Sequence, residues 1–184
     1  VQGTVAATDK GDYETFKTTI SGFKDGETNK LVFWATDNAG NGSKESNKKE
    51  YNVKVDTARP VLEENSLSVD GKSDGIERIL SNASKPISVG GTVTDTGSGI
   101  SGVTVSVGGK TFDIESVLSD LEPAAGSKKF AAEIGTDKIT GSGTVYARIT
   151  DKAGNVLETN LFALTVDKTP PTAKINSPTD ADLD

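Results

Sequence analysis

The chain has 184 residues, with 27 acidic against 20 basic side chains, a net charge of −7, and no Cys, His or Met. That composition excludes disulfides, Cys or His metal sites, Ser/His/Asp triads and Cys/His nucleophiles, and its acidic balance repels phosphate backbones, so nucleic acid is not an expected partner. No run approaches the roughly 18 apolar residues that span a bilayer, and Val1 opens no signal-peptide pattern, so any anchor or export signal is expected outside this segment.

In chain order, the first pattern is alternation: Phe16, Thr18 and Ile20, then Leu31, Phe33 and Ala35, then Tyr51, Val53 and Val55. Period two is the signal of half-buried strands. Trp34 falls on the face opposite Leu31, Phe33 and Ala35. Between the last two strands stands Thr36-Asp37-Asn38-Ala39-Gly40-Asn41, and the last ends in Val55-Asp56-Thr57-Ala58-Arg59-Pro60. Both strings return. Phe16 to Asn41 matches Phe130 to Asn155 without a gap at an offset of 114, giving Thr150-Asp151-Lys152-Ala153-Gly154-Asn155, and Val166-Asp167-Lys168-Thr169-Pro170-Pro171 follows. Self-similarity at a fixed period marks a tandem array. It divides the chain into the back part of one unit over 1–56, a complete unit over 59–167 and the start of a third over 170–184, and the whole is expected to be a piece of a longer protein.

Within the complete unit, Ile87, Val89, Gly91 and Val93 share one face, followed by Val103, Val105 and Val107. Next comes an insertion of about eight residues relative to the first copy, where Ile114, Val117, Leu118 and Leu121 fall at helical spacing. With Asp113 to cap it and Pro123 to stop it, a short helix is predicted there, closing one edge or end of the fold. Phe130, Ala132 and Ile134, then Val145, Ala147 and Ile149, then Phe162, Leu164 and Val166 resume the alternation. Short antiparallel strands separated by Gly, Asn, Asp and Ser turns, about 100 residues to a unit, predict an all-β two-sheet sandwich.

The TDxAGN string between the last two strands, the VDxxxP exit and Thr94-Asp95-Thr96-Gly97-Ser98-Gly99-Ile100-Ser101 between two earlier strands resemble the bacterial Ig-like repeats of large surface adhesins. The resemblance implies Ig-like antiparallel β-sandwich repeats in tandem, on an extracellular or cell-surface protein whose partners are the neighbouring repeats and an unidentified host or cell-surface receptor. The match is imperfect: the first exit carries Arg59 where the second carries Pro170, and the spacing between TDxAGN and exit differs by three residues.

In such a sandwich the Asp95 loop and the Asp151 turn lie at the end where the preceding linker enters, so Asp56 is expected to approach both. Related repeats stiffen their joints with calcium, which takes six to eight hard oxygen ligands, and the resemblance extends that role to Asp56, Asp95 and Asp151, with Asp37 and Asp167 at the equivalent positions. The alternative for these residues is structural, because Asp, Gly and Asn suit a tight turn without any ion. Asp180, Asp182 and Asp184 read as a solvated loop. Pro60, Pro170 and Pro171 restrict the exits by fixing φ and favouring extended geometry just before them. Trp34 is expected to pack beneath a neighbouring loop, with an outward platform for a sugar or protein as the alternative. No Lys, Asn and acidic trio is singled out for an isopeptide crosslink. The leading expectation is a non-catalytic structural or adhesive spacer. Its rival is a carbohydrate- or protein-binding accessory module of a secreted enzyme, and with aromatics at 5% only Trp34 speaks for that. Paired carboxylates of an enzyme are not marked out by any context.

Overall fold

The computed structural model describes residues 8–9, 14–15, 18–37, 39–44, 47–108, 113–120, 126–136, 139 and 141–174. Phe16, Asn38, Leu121, Pro123, Asp180, Asp182 and Asp184 lie outside the described residues. Among the described residues the protein is all-β, with no α-helix and hence none long and apolar enough to cross a membrane. Two short strands, β1 (Thr8–Asp9) and β2 (Glu14–Thr15), pair with each other, and β3 (Thr28–Phe33) forms an antiparallel hairpin with β4 (Lys49–Lys54). Then follow β5 (Val61–Leu62), β6 (Ser68–Val69), β7 (Arg78–Ser81), β8 (Ile87–Thr94), β9 (Ile100–Val107), β10 (Asp113–Glu115), β11 (Val117–Asp120), β12 (Ser127–Ile134), β13 (Gly141–Asp151) and β14 (Val156–Val166).

These later strands make two sheets. One runs β10-β9-β13-β14-β7 and the other β11-β12-β8-β5, with β6 also on β8. Every pairing is antiparallel except that of β7 with β14. Alternating side chains point to opposite faces of a strand, and the inward sets of both sheets meet in one cluster. Val89, Val93, Phe130, Ala132 and Ile134 come from one sheet, and Val103, Val105, Val107, Val145, Ala147, Ile149, Phe162, Leu164 and Val166 from the other. All are buried, as the alternation predicted, and each large one contributes about 1.5–3 kcal/mol relative to an exposed position.

The β3–β4 hairpin is covered less well. Leu31, Phe33 and Val53 are only half-buried and Tyr51 is 57% exposed; Phe33 and Tyr51 meet edge to face with ring centroids 5.7 Å apart. Ile20 is half-buried but in no strand. The register of this hairpin nevertheless matches that of β13–β14: Leu31 faces Tyr51 as Val145 faces Phe162, and Asn29 faces Val53 as Gly143 faces Leu164. Beyond Val145 the second hairpin carries a bulge between Val145 and Tyr146 that shifts the pairing.

The helix predicted from Asp113 is not formed. Its described part consists of β10, paired with β9, and β11, paired with β12, so the chain passes from one sheet to the other at Ser116. Ser116 marks the crossing by donating its N–H to Val103 O at 2.9 Å. Helical spacing and period two are both satisfied by so few apolar residues, and β-branched Ile114 and Val117 suit a pleated edge. Burial follows the strand: Leu118 packs on the core whereas its neighbour Val117 is 75% exposed.

Candidate functional site

Three loops converge where the β4–β5 connection enters the larger pair of sheets. Asp151 ends β13, and its turn is closed by Asn155, whose N–H donates to Asp151 Oδ1 and whose side-chain amide donates to Oδ2, both at 2.8 Å. Asp95 follows β8. Its N–H donates to Gly126 O at 3.0 Å, and its Oδ2 accepts the Gly99 N–H at 2.5 Å. The two loops are bound to each other by Lys152 N–H to Gly99 O at 2.9 Å and Ala153 N–H to Ser98 Oγ at 3.1 Å.

Asp56 lies across this pair from the connection. Its Oδ2 accepts the Ser98 N–H at 2.6 Å, its Oδ1 accepts the Ala58 N–H at 3.1 Å, and its own carbonyl accepts the Asn155 side-chain amide at 2.9 Å. Gly97 makes this possible, because a side-chain carbon at that position would fall on the Asp56 carboxylate. Lys54 adds a further tie, its Nζ donating to Gly97 O at 2.6 Å. On the other side, Thr57 is held by Asp25: its N–H donates to Oδ1 at 2.9 Å and its hydroxyl to Oδ2 at 2.6 Å, while Gly26 N–H donates to Val55 O at 2.9 Å. Adjacent residues of the connection are thus fixed in opposite directions.

One carboxylate oxygen from each of Asp56, Asp95 and Asp151 lies within 4.8 Å of the others. Asp95 and Asp151 are buried, at 3% and 2% exposure, and Asp56 is half-buried. Carboxylates this close repel one another; the amide donors reduce that cost, and hydrogen bonding from Ser98 holds the Asp56 carboxyl below its ordinary value of 3.8. An oxygen that accepts one N–H keeps a second lone pair, so all three residues retain ligating capacity. The donor set is hard oxygen throughout, suited to calcium or a similar cation, and the three carboxylates supply three to six of its roughly six to eight ligands.

The expected approach of Asp56 to Asp95 and Asp151 is what the structure contains. Asp37 lies apart from them and is exposed. Its turn repeats that of Asp151, with Asn41 N–H and side-chain amide donating to Oδ1 and Oδ2 at 2.8 Å each, and with Gly40 and Gly154 at φ of 89° and 96°. Asn41 in this way holds the Asp37 carboxyl below 3.8. Asp167 is exposed as well, its Oδ1 accepting the Thr169 N–H at 2.9 Å much as Asp56 Oδ1 accepts Ala58 N–H. Pro60 is buried, whereas Pro170 and Pro171 are exposed. Trp34 does not pack beneath a loop: it is 54% exposed, directly after β3.

Sequence reasoning missed Gly97, Ser98, Lys54, Asn155, Asp25 and Thr57 as parts of this arrangement. Asn155 and Ser98 stand inside the very strings that were singled out, so those strings were the available signal. The pairing of Asp25 with Thr57, 32 positions apart, left none. No protein-family model and no curated protein sequence matches the chain.

Proposed function

We propose that the chain is a non-catalytic spacer segment of a bacterial extracellular or cell-surface protein, built from tandem Ig-like sandwiches whose joint at residues 54–60 is held closed and takes a calcium ion. The observation that carries this reading is Asp56, which reaches from the exit of one unit to Ser98, Asn155 and the Asp95–Asp151 pair of the next. Two five-stranded, mostly antiparallel sheets packed over one core, with the chain crossing between them after β6, β7, β8, β10 and β12, support an Ig-like sandwich. The hairpin registers, equal as far as Leu31 and Val145, and the equal Asp–Asn turns support the tandem repeat. In a linear array each unit folds on its own core and touches its neighbours, so reach follows unit number and stiffness follows the joints. The function of the segment is then mechanical: it sets the distance between whatever lies at its two ends.

The test is thermal melting combined with small-angle scattering, in EDTA and in excess calcium. A hundredfold excess over Kd stabilises by about 2.7 kcal/mol, which for a chain of this size raises Tm by roughly 5–10 °C, and the scattering should report a narrower distribution of extensions. If calcium moves neither quantity, the cation is removed from the reading; a freely jointed scattering profile under both conditions would remove the stiff spacer as well.

Exposed Trp34 favours a second reading, a carbohydrate- or protein-binding accessory module of a secreted enzyme. Binding on a glycan array that is abolished by Trp34→Ala would put this reading ahead of the first.

A further inference from the structure

Beside Asp56 of the Asp56–Asp95–Asp151 group the chain places a cation of its own. Lys54 closes β4 two residues before Asp56, and its ammonium bonds the carbonyl of Gly97, the residue whose α-carbon lies beneath the Asp56 carboxylate. Asp56 also feels the charge, since Lys54 adds to the hydrogen bonds that favour its ionised form. Lys54 makes this bond across the joint, from the preceding hairpin to the loop of the next unit. Lys128 and Lys152 also line the cavity beside the 95–100 loop, but they belong to the strands and turns of the unit that loop is part of. The charge is not required by the strand ending itself: the aligned position before the second exit is Thr165, in Thr165-Val166-Asp167 against Lys54-Val55-Asp56.

We propose that Lys54 is the tethered counter-ion of this joint, closing it on the Gly97 loop when no metal ion is bound and competing with a metal ion for the same acidic group. The inference rests on the calcium reading above. A flexible four-carbon stem lets a lysine ammonium deliver a point charge and withdraw it without disturbing the backbone. Gly97 O, occupied by Lys54 Nζ, is also a hard oxygen of the kind that completes a calcium shell, so the two cations draw on overlapping acceptors. A joint with Lys54 is therefore stiff at low calcium, whereas one with threonine in its place depends on the ion.

The experiment compares the full chain with Lys54→Met, which keeps the stem and drops the charge at an exposed position. Scattering and melting are recorded in EDTA and in excess calcium, and calcium affinity is measured by calorimetry. The expected result is a variant that is more loosely jointed than the wild type in EDTA, is restored by calcium, and binds calcium about fivefold more tightly, the size of effect an exposed charge pair exerts. A variant identical to the wild type in EDTA, with calcium acting equally on both, overturns the role of Lys54 and leaves the calcium reading intact. A variant loosened in EDTA that calcium fails to tighten, with the wild type equally indifferent to calcium, overturns the calcium reading and the competition together.

Discussion

Asp25 has no counterpart among the residues the sequence marked out, yet it fixes the side of the joint opposite Asp56. The Thr57 hydroxyl, and after it the Thr57 N–H, hold its carboxyl below the ordinary value of 3.8. A carboxyl whose pKa is depressed on folding contributes stability that is fully present above its unfolded pKa and is lost as pH falls through the folded one. The Asp25–Thr57 tie is accordingly intact at neutral pH and opens only below 3.8. Carboxyl-detected NMR titration should place the Asp25 midpoint below that value, and Thr57→Val, which removes the hydroxyl, should raise it. A midpoint at 3.8 in the unaltered chain would mean that the bond is not kept in solution. Asp37 is held below 3.8 for a similar reason by Asn41, so it too stays charged through mild acid.

Among the elements, β10 and β11 separate what alternation can say from what it cannot. The strands β8, β9, β12, β13 and β14 were legible because each carries several period-two repeats with its large side chains on one side, and a one-residue slip would turn all of them outward. Residues 113–120 offered too few repeats to choose a period, and the deciding factor, the unpaired edges of β9 and β12, is tertiary. The joint was legible in part: its three aspartates stand in recurring strings, whereas the contacts from Lys54 and Asp25 depend on how the loops fold over one another. The strand assignment predicts opposite outcomes at positions of similar character. Val117→Lys, at a position 75% exposed, should change stability by no more than about 0.5 kcal/mol. Phe130→Ala, across from Leu118 and 2% exposed, should cost about 3–5 kcal/mol through lost burial and the cavity left behind. Denaturant midpoints of the two variants measure both, and a large loss at Val117 would restore a packed helical face there.

At the scale of the molecule, two hairpins whose registers agree as far as Leu31 and Val145 have unequal surroundings. The β13–β14 pair lies between β9 and β7, and Val145, Ala147, Ile149 and Leu164 are fully buried. Among the described residues the β3–β4 pair forms a two-stranded sheet with half-buried or exposed side chains, and a two-stranded hairpin with so little burial is marginal in water. Local stability follows burial, so segments with few apolar contacts open far more readily than the global unfolding free energy would allow. Hydrogen exchange should therefore run faster at the amides of residues 28–33 and 49–54 than at those of 141–151 and 156–166, although both pairs are antiparallel ladders. The ties at Asp25, Lys54 and Asp56 act at the joint end of β4, so within the first hairpin protection should rise from Lys49 towards Lys54. Equal protection in both hairpins would mean that the first is covered as fully as the second, and that the difference in burial between them does not hold in solution. A gradient of the expected sign would show the contacts of Asp25, Lys54 and Asp56 stabilising the less buried hairpin through the better-packed sheets.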